Sequence, residues 1–139
     1  MLLVPAVSHA QALPFVAAET DAASLGTAGA GLVETSSVAD ASFSNAAVIP
    51  FSDNKLDASV GYTMWQPSSS NILNVGVAYN VKSKFGVALG VHYGMNPSYD
   101  VTNESGAVAG VFAPKDIHVN AGLAWRFLPF LSLGANIGY

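Results

Sequence analysis

The 139-residue chain is 51% hydrophobic but only 10% charged, far below the roughly 25% charge of an ordinary soluble domain, so something other than water must solvate much of its surface. No apolar stretch reaches the ~18 uninterrupted residues of a spanning helix, which argues against a helical membrane protein. The five basic residues Lys55, Lys82, Lys84, Lys115 and Arg126, within a net charge of −4, argue against a nucleic-acid partner, and the absence of cysteine removes thiol nucleophiles, disulfides and Cys-ligated metals.

The chain begins with apolar Met1 to Val7, followed by Ser8, His9, Ala10, Gln11 and Ala12, where small residues offer cleavage after Ala10 or Ala12. Residues 1–12 therefore read as the remnant of a secretory signal without its basic start; an ordinary apolar N-terminus is the alternative. Residues 13–53 are rich in Ala, Gly, Ser and Thr and keep neither a period of two nor of 3.6. This segment is expected to be an irregular plug or lead-in, with at most a short helix around Val38 to Ala47.

From residue 54 onward the pattern changes, and five stretches alternate with period two over the roughly ten residues that a tilted membrane strand needs. In the first, Leu56, Ala58, Val60, Tyr62 and Met64 oppose Asp57, Ser59, Gly61 and Thr63. The second sets Leu73, Val75, Val77, Tyr79 and Val81 against Asn74, Gly76, Ala78 and Asn80, and the third sets Phe85 to Met95, at every odd position, against Gly86, Ala88, Gly90, His92 and Gly94. The fourth runs from Ile117 to Phe127, with His118, Asn120, Gly122, Ala124 and Arg126 on the minor face; the fifth runs from Leu131 to Tyr139, with Ser132, Gly134, Asn136 and Gly138. A soluble sandwich would load its polar face with Lys, Glu, Thr and Arg. Here that face is mostly Gly, Ala, Ser and Asn, as in a crowded inner wall against which a plug or ligand packs closely.

The connections alternate too. Lys82 to Lys84 and Leu128 to Pro129 are tight turns, whereas Asn96 to Pro114 is long and Gln66 to Ser70 joins the first pair, the short-turn and long-loop ends expected of an outer-membrane barrel. That orientation puts Tyr79, Phe85, Trp125 and Phe127 in one aromatic girdle, at the periplasmic boundary, and Tyr62, Tyr93 and Tyr139 towards the other. The expected fold class is thus all-β, an antiparallel transmembrane β-barrel represented by about five strands over residues 54–139. Single-chain barrels begin at about eight strands, so the chain is expected to be part of a longer protein or one of several chains completing a barrel.

Three words in the lead-in add a resemblance. The stretch from Asp21 to Gly31 (DAASLGTAGAG), then Asp40-Ala41-Ser42, then Asn45-Ala46-Ala47, followed by alternating strands, resembles the start of FadL-like outer-membrane barrels and looks closest to the PorV/PorQ branch of Bacteroidetes. The sequence departs from the family's Asn-Pro-Ala word at Ala46. The resemblance covers about Thr20 to Pro97 and implies a barrel of roughly fourteen strands in the outer membrane, with the N-terminal segment inside the lumen. It implies outer-membrane lipid as a partner and passage of hydrophobic small molecules, or, for the PorV-like branch, partnership with type IX secretion proteins. A soluble secreted β-sandwich or lipid-binding domain is the remaining alternative.

Chemistry-bearing constellations are few. Gly26, Gly29 and Gly31 do not have phosphate-loop spacing, and no serine is placed beside a histidine with an orienting carboxylate, so no enzyme and no cofactor are expected. If Met95 pairs with Lys115, His92 and His118 fall opposite each other on the minor face, where they would hydrogen-bond or, with a third ligand near Asp116, share a metal. Asp100, Glu104 and Asp116 lie in or beside the long loop without EF-hand spacing. Lys82, Lys84 and Arg126, with Lys55 and Asp57 nearby, gather at the tight-turn end as rim charges or an anion-attracting mouth. The candidate lumen-facing residues are Asn74, Asn80, His92, His118, Asn120 and Arg126.

Overall fold

The computed structural model describes residues 20–28, 30–33, 37–66, 70–104 and 106–139. The expected signal remnant at 1–12 and the start of the lead-in lie outside these residues, as does Gly29. Strands β1 (Leu56–Gln66), β2 (Ser70–Val81), β3 (Phe85–Met95), β4 (Tyr99–Thr102), β5 (Val108–Phe112), β6 (Lys115–Leu128) and β7 (Leu131–Gly138) make two antiparallel sheets. The larger is an open meander in the order β1-β2-β3-β6-β7, and the smaller is the β4-β5 hairpin.

Register follows from the alternation, because a slip of one residue would turn every side chain to the wrong face. Val60, Val75, Val91 and Val119 form one cross-strand row, and Ser59, Gly76, Gly90, Asn120 and Gly138 form the row beside it on the opposite face. Met95 pairs with Lys115, the condition under which the alternation sets the two histidines opposite each other, and His92 pairs with His118. The first face is exposed and oily throughout: Leu89 is 64% exposed, Ile137 76% and Val60 75%. Along β3 the band from Phe85 to Met95 covers ten steps or about 34 Å of strand.

The other face is covered by the lead-in, which has little regular structure of its own. A short helix, α1 (Ala22–Gly26), starts where Asp21 accepts the Ser24 N–H at 2.8 Å, and a 3-10 turn follows at Ala30–Val33. The expected helix at Val38 to Ala47 does not form. Residues 38–44 make tight turns, with Ala41 N–H to Val38 O at 3.1 Å and Phe43 N–H to Asp40 O at 2.9 Å. Asn45 then caps a new 3-10 segment, Ala46–Phe51, by accepting the Ala47 N–H at 3.1 Å. A side chain that bonds its own backbone ends one turn and begins another, which is why the apolar run there is not a single helix. Val38, Ala41, Ala46, Val48 and Ile49 from the lead-in bury against Ala78, Ala88 and Ala124 of the sheet.

Other boundaries also shift. Gln66 pairs with Ser70, so only residues 67–69 join β1 to β2, and the connection is shorter than the alternation of turns and loops implies. The segment from Asn96 to Pro114 is not wholly irregular: Tyr99 packs its ring 5.8 Å from that of Phe112 across β4 and β5. Tyr139 bonds Val119 through both backbone groups and so aligns with the Val91 row, one outward position short of Tyr62 and Tyr93.

Candidate functional site

The functional surface of the sheet is the seam between its small-residue face and the lead-in. Glycines on the strands let the lead-in approach the wall at backbone distance. A Cβ at Gly76 would stand 2.5 Å from Ala39 O, and one at Gly86 would stand 2.6 Å from Ile49 Cβ. Gly90 is occupied in the same way by Phe43 and Ser42, and Gly134 by Ala47. At Gly76, Gly86, Gly90 and Gly134 glycine is therefore a packing requirement of the lead-in, whereas Gly61 and Gly138 leave room for Asn74 and for Asn120 and His118 of the sheet itself.

Close approach brings the lead-in's unpaired carbonyls against the wall, and buried carbonyls need donors. Side chains on the strands supply them. Asn80 Nδ2 donates to Ser52 O at 2.9 Å, Arg126 Nη1 to Pro50 O at 3.4 Å, and Ser132 Oγ to Ala47 O. Asn136 Nδ2 donates to Ala41 O at 3.1 Å and Ser44 O at 3.2 Å, and Thr63 Oγ1 reaches Thr20 O at 3.5 Å. Of the sequence candidates, Asn80 and Arg126 belong to this set. Ser132, Asn136, Ser59 and Thr63 share their parity on the strands but were not singled out; parity and polarity together would have found them.

At the centre sits Asp40, on the lead-in. Its Oδ1 accepts Ser59 Oγ at 2.8 Å and Asn74 Nδ2 at 3.5 Å. Burial raises its carboxyl above the ordinary 3.8, with the Ser59 hydrogen bond working against that rise and the charge of Asp21 adding to it. Asn74 is 2% exposed, and its Oδ1, like Ser42 Oγ and His118 Nδ1, is buried without a hydrogen-bond partner among the described residues.

His92 is 2% exposed and stacks on Phe43, centroids 3.8 Å apart, with Nε2 sharing a 3.0 Å hydrogen bond with Thr20 Oγ1. His118 lies across from it at 6.2 Å between centroids, tilted by 58°. Among the described residues no three His, Cys, Asp or Glu side chains come together, and Asp116 instead accepts Asn96 Nδ2 at 2.6 Å. His92 thus holds Phe43 and Thr20 of the lead-in to the wall. Asn120, also buried, faces Gly138 beside His118.

The tight-turn end is basic. Arg126 Nε donates to Leu128 O at 3.2 Å and Nη2 to Pro129 O, while its guanidinium lies 4.4 Å from the centroid of the Phe51 ring. This one side chain ties the β6-β7 turn to the end of the lead-in. Beside it a cleft of about 280 Å³ opens among Lys82, Ser83, Lys84, Phe127, Leu128 and Pro129.

Among the described residues no helix is long and apolar enough to cross a membrane. No family model, curated protein or solved structure matches the chain, so its function is argued from the geometry above.

Proposed function

We propose that this chain forms part of the wall of an outer-membrane β-barrel of the FadL-like kind, with its lead-in seated against the inner side, and that the assembled barrel passes hydrophobic small molecules. The observation that carries this reading is the two-sidedness of the sheet. One face is covered by the lead-in across β2, β3 and β6, while Gly134, Asn136 and Gly138 on β7 stay exposed, and the other presents Leu, Val, Ile, Phe and Tyr to the outside. Soluble monomers rarely expose a contiguous apolar patch beyond a few hundred Å², whereas lipid makes such a face the stable one. Tilted by about 45°, a 34 Å strand spans roughly 24 Å, close to the ~25 Å apolar band of such barrels.

The aromatic rows sit where that band ends. Phe85 stacks on Trp125 at 6.1 Å, and Trp125 meets Phe127 edge-on at 6.2 Å, at the tight-turn boundary; rings that are apolar on one side and wet on the other favour the interface. The irregular backbone of the lead-in, costly in lipid, is tolerated where protein covers it and supplies its hydrogen bonds. A wall sealed by its own lead-in suits controlled passage of small molecules better than an open aqueous pore.

A second reading, a PorV-like secretion component, is favoured by the β4-β5 hairpin, whose Tyr99, Val101, Val108, Val111 and Phe112 are all exposed at the long-loop end. Such a surface suits reception of another protein. Fractionation of the natural protein followed by detergent extraction and a heat-modifiability gel tests the barrel common to both readings. The expected result is an outer-membrane protein, soluble only in detergent, whose band shifts on boiling. Recovery as a detergent-free periplasmic protein with no shift would overturn both readings and assign the oily face to a partner sheet. Co-purification with secretion proteins, without uptake of hydrophobic compounds by the reconstituted barrel, would favour the second over the first.

A further inference from the structure

We infer that the cleft at the tight-turn end is a binding site for the phosphate of an anionic phospholipid headgroup, an assignment that rests on the membrane reading above. Charge is scarce in this chain, yet three of its five basic residues, Lys82, Lys84 and Arg126, line one cleft of about 280 Å³ that no acidic residue lines. Lys115 lies at the opposite end of the sheet, with Asp100, Glu104 and Asp116 on or beside the same long connection. The tight-turn end thus holds Lys55, Lys82, Lys84 and Arg126 against Asp53 and Asp57, and the long-loop end Lys115 against Asp100, Glu104 and Asp116, so the net charge is positive at one end and negative at the other.

The cleft has two kinds of wall, as a lipid needs. Phe127 and Leu128 are apolar and exposed, and continue directly into the outward ring row of Phe85 and Trp125. An acyl chain lying along that row would bring its headgroup to the lysines at the membrane boundary. Arg126 supplies a charge that is already fixed in place: its N–H groups are held by the carbonyls of Leu128, Pro129 and Pro50. The exposed lysines, compact charges on flexible stems, supply the adaptable contacts.

The turn itself points the same way. Lys82 and Ser83 both have φ of 53°, the left-handed region in which a hairpin of this twist ordinarily uses Asn and Gly. Residues with a Cβ are strained there. The strain is held by Asn80 Oδ1, which accepts the Ser83 N–H at 3.0 Å, by Lys84 N–H to Val81 O at 3.1 Å and by Arg126 N–H to Lys84 O at 2.8 Å. A lysine is thus kept at a position where a smaller residue would be more stable, and strain of this kind tends to accompany function.

The test uses the protein extracted from its own membrane in a neutral detergent, offered equimolar phosphatidylglycerol and phosphatidylcholine, with retained lipid counted by native mass spectrometry. A basic residue near an anionic surface is worth about fivefold in affinity. With about fivefold from each of the two lysines, phosphatidylglycerol is expected to be preferred by at least about 25-fold, a preference reduced about 25-fold in Lys82→Gln/Lys84→Gln and unchanged in Lys115→Gln. A boiling-sensitive band shift in each variant shows that it is folded. Equal retention of both lipids by the wild-type membrane protein overturns the headgroup site alone. A protein that fractionates without detergent overturns the site together with the membrane reading. Displacement of phosphatidylglycerol by inorganic phosphate, with phosphate held as tightly when no lipid is present, also overturns the lipid assignment.

Discussion

Replacing Gly86 with alanine isolates the close approach between wall and lead-in. The new Cβ would lie 2.6 Å from Ile49 Cβ and 2.7 Å from Ile49 Cγ2, with Pro50 Cδ at 3.3 Å behind them. Carbon atoms prefer about 3.5–4.0 Å, so the 3-10 segment must retreat by about 1 Å. Ile49 is fully buried, and forcing an extra methyl into such a site costs about 1–3 kcal/mol. Alanine recovers about 0.5–1 kcal/mol over glycine in a strand. The net loss, about 1–2 kcal/mol, should open this part of the lead-in roughly 5- to 30-fold more often. Amide hydrogen exchange reads it directly through the Ser52 N–H, which donates to Ile49 O at 3.1 Å, and the Val48 N–H, which donates to Asn45 O at 3.4 Å. Gly110→Ala on β5 is the control, since no heavy atom lies within 4 Å of the added carbon. Unchanged protection at Ser52 and Val48 in Gly86→Ala would refute the claim that the glycine face exists to admit the lead-in.

Two further outcomes follow from the seam. Because burial raises the Asp40 carboxyl above 3.8, the seated lead-in binds a proton there more readily than the released one; the contribution of this carboxyl to docking is fully present below 3.8 and is lost as pH rises through the raised value. Exchange of the Ala41 N–H, corrected for intrinsic rate, should therefore quicken across that window in the wild type and lose this pH dependence in Asp40→Asn. Asn80→Ala removes both the donor to Ser52 O and the acceptor of Ser83 N–H, so unfolding in denaturant should show a loss of about 1–3 kcal/mol, and a midpoint within error of wild type would remove Asn80 from the seam.

How much of this was legible in the sequence depends on which forces wrote the pattern. The long strands were readable because burial with period two is imposed at every position: the pairing of His92 with His118 follows from parity and one turn length. The β4-β5 hairpin was not, because its two strands have only four and five residues with all side chains exposed, so no burial contrast marks them. The lead-in offers no sustained period, and the bound of at most a short helix around Val38 to Ala47 could not locate the cap at Asn45, where a side chain competes with helix continuation and starts a 3-10 segment instead. The polar candidates were readable as a face but not as a function. Asn80 and Arg126 bond carbonyls separated from them by 28 and 76 residues, and nothing local announces such a partner. Asp40 stood inside a recognisable word, yet only the register of β1 and β2 brings Ser59 and Asn74 to it.

The seam's bonds are unevenly distributed, and this sets the order in which the lead-in can move. Between Ala41 and Ser52, wall side chains take the carbonyls of Ala41, Ser44, Ala47, Pro50 and Ser52. Val38, Ala41, Ala46, Val48 and Ile49 are also buried there. Towards Thr20, among the described residues, the lead-in is held by the Thr20–His92 hydrogen bond and the 3.5 Å contact from Thr63, while Leu25, Leu32 and Val33 stay exposed. Local opening is cheapest where buried apolar contacts and shielded hydrogen bonds are fewest. Release must therefore begin at the Thr20 end and meet its main resistance at Asp40 and Phe43, where the carboxyl, Asn74 and the His92 stack engage together. On the proposed barrel reading, a molecule moving along the inner wall would have to displace that cluster before the clamped stretch behind it, and Asp40, Phe43 and His92 are then the residues whose contacts set whether the sheet is covered.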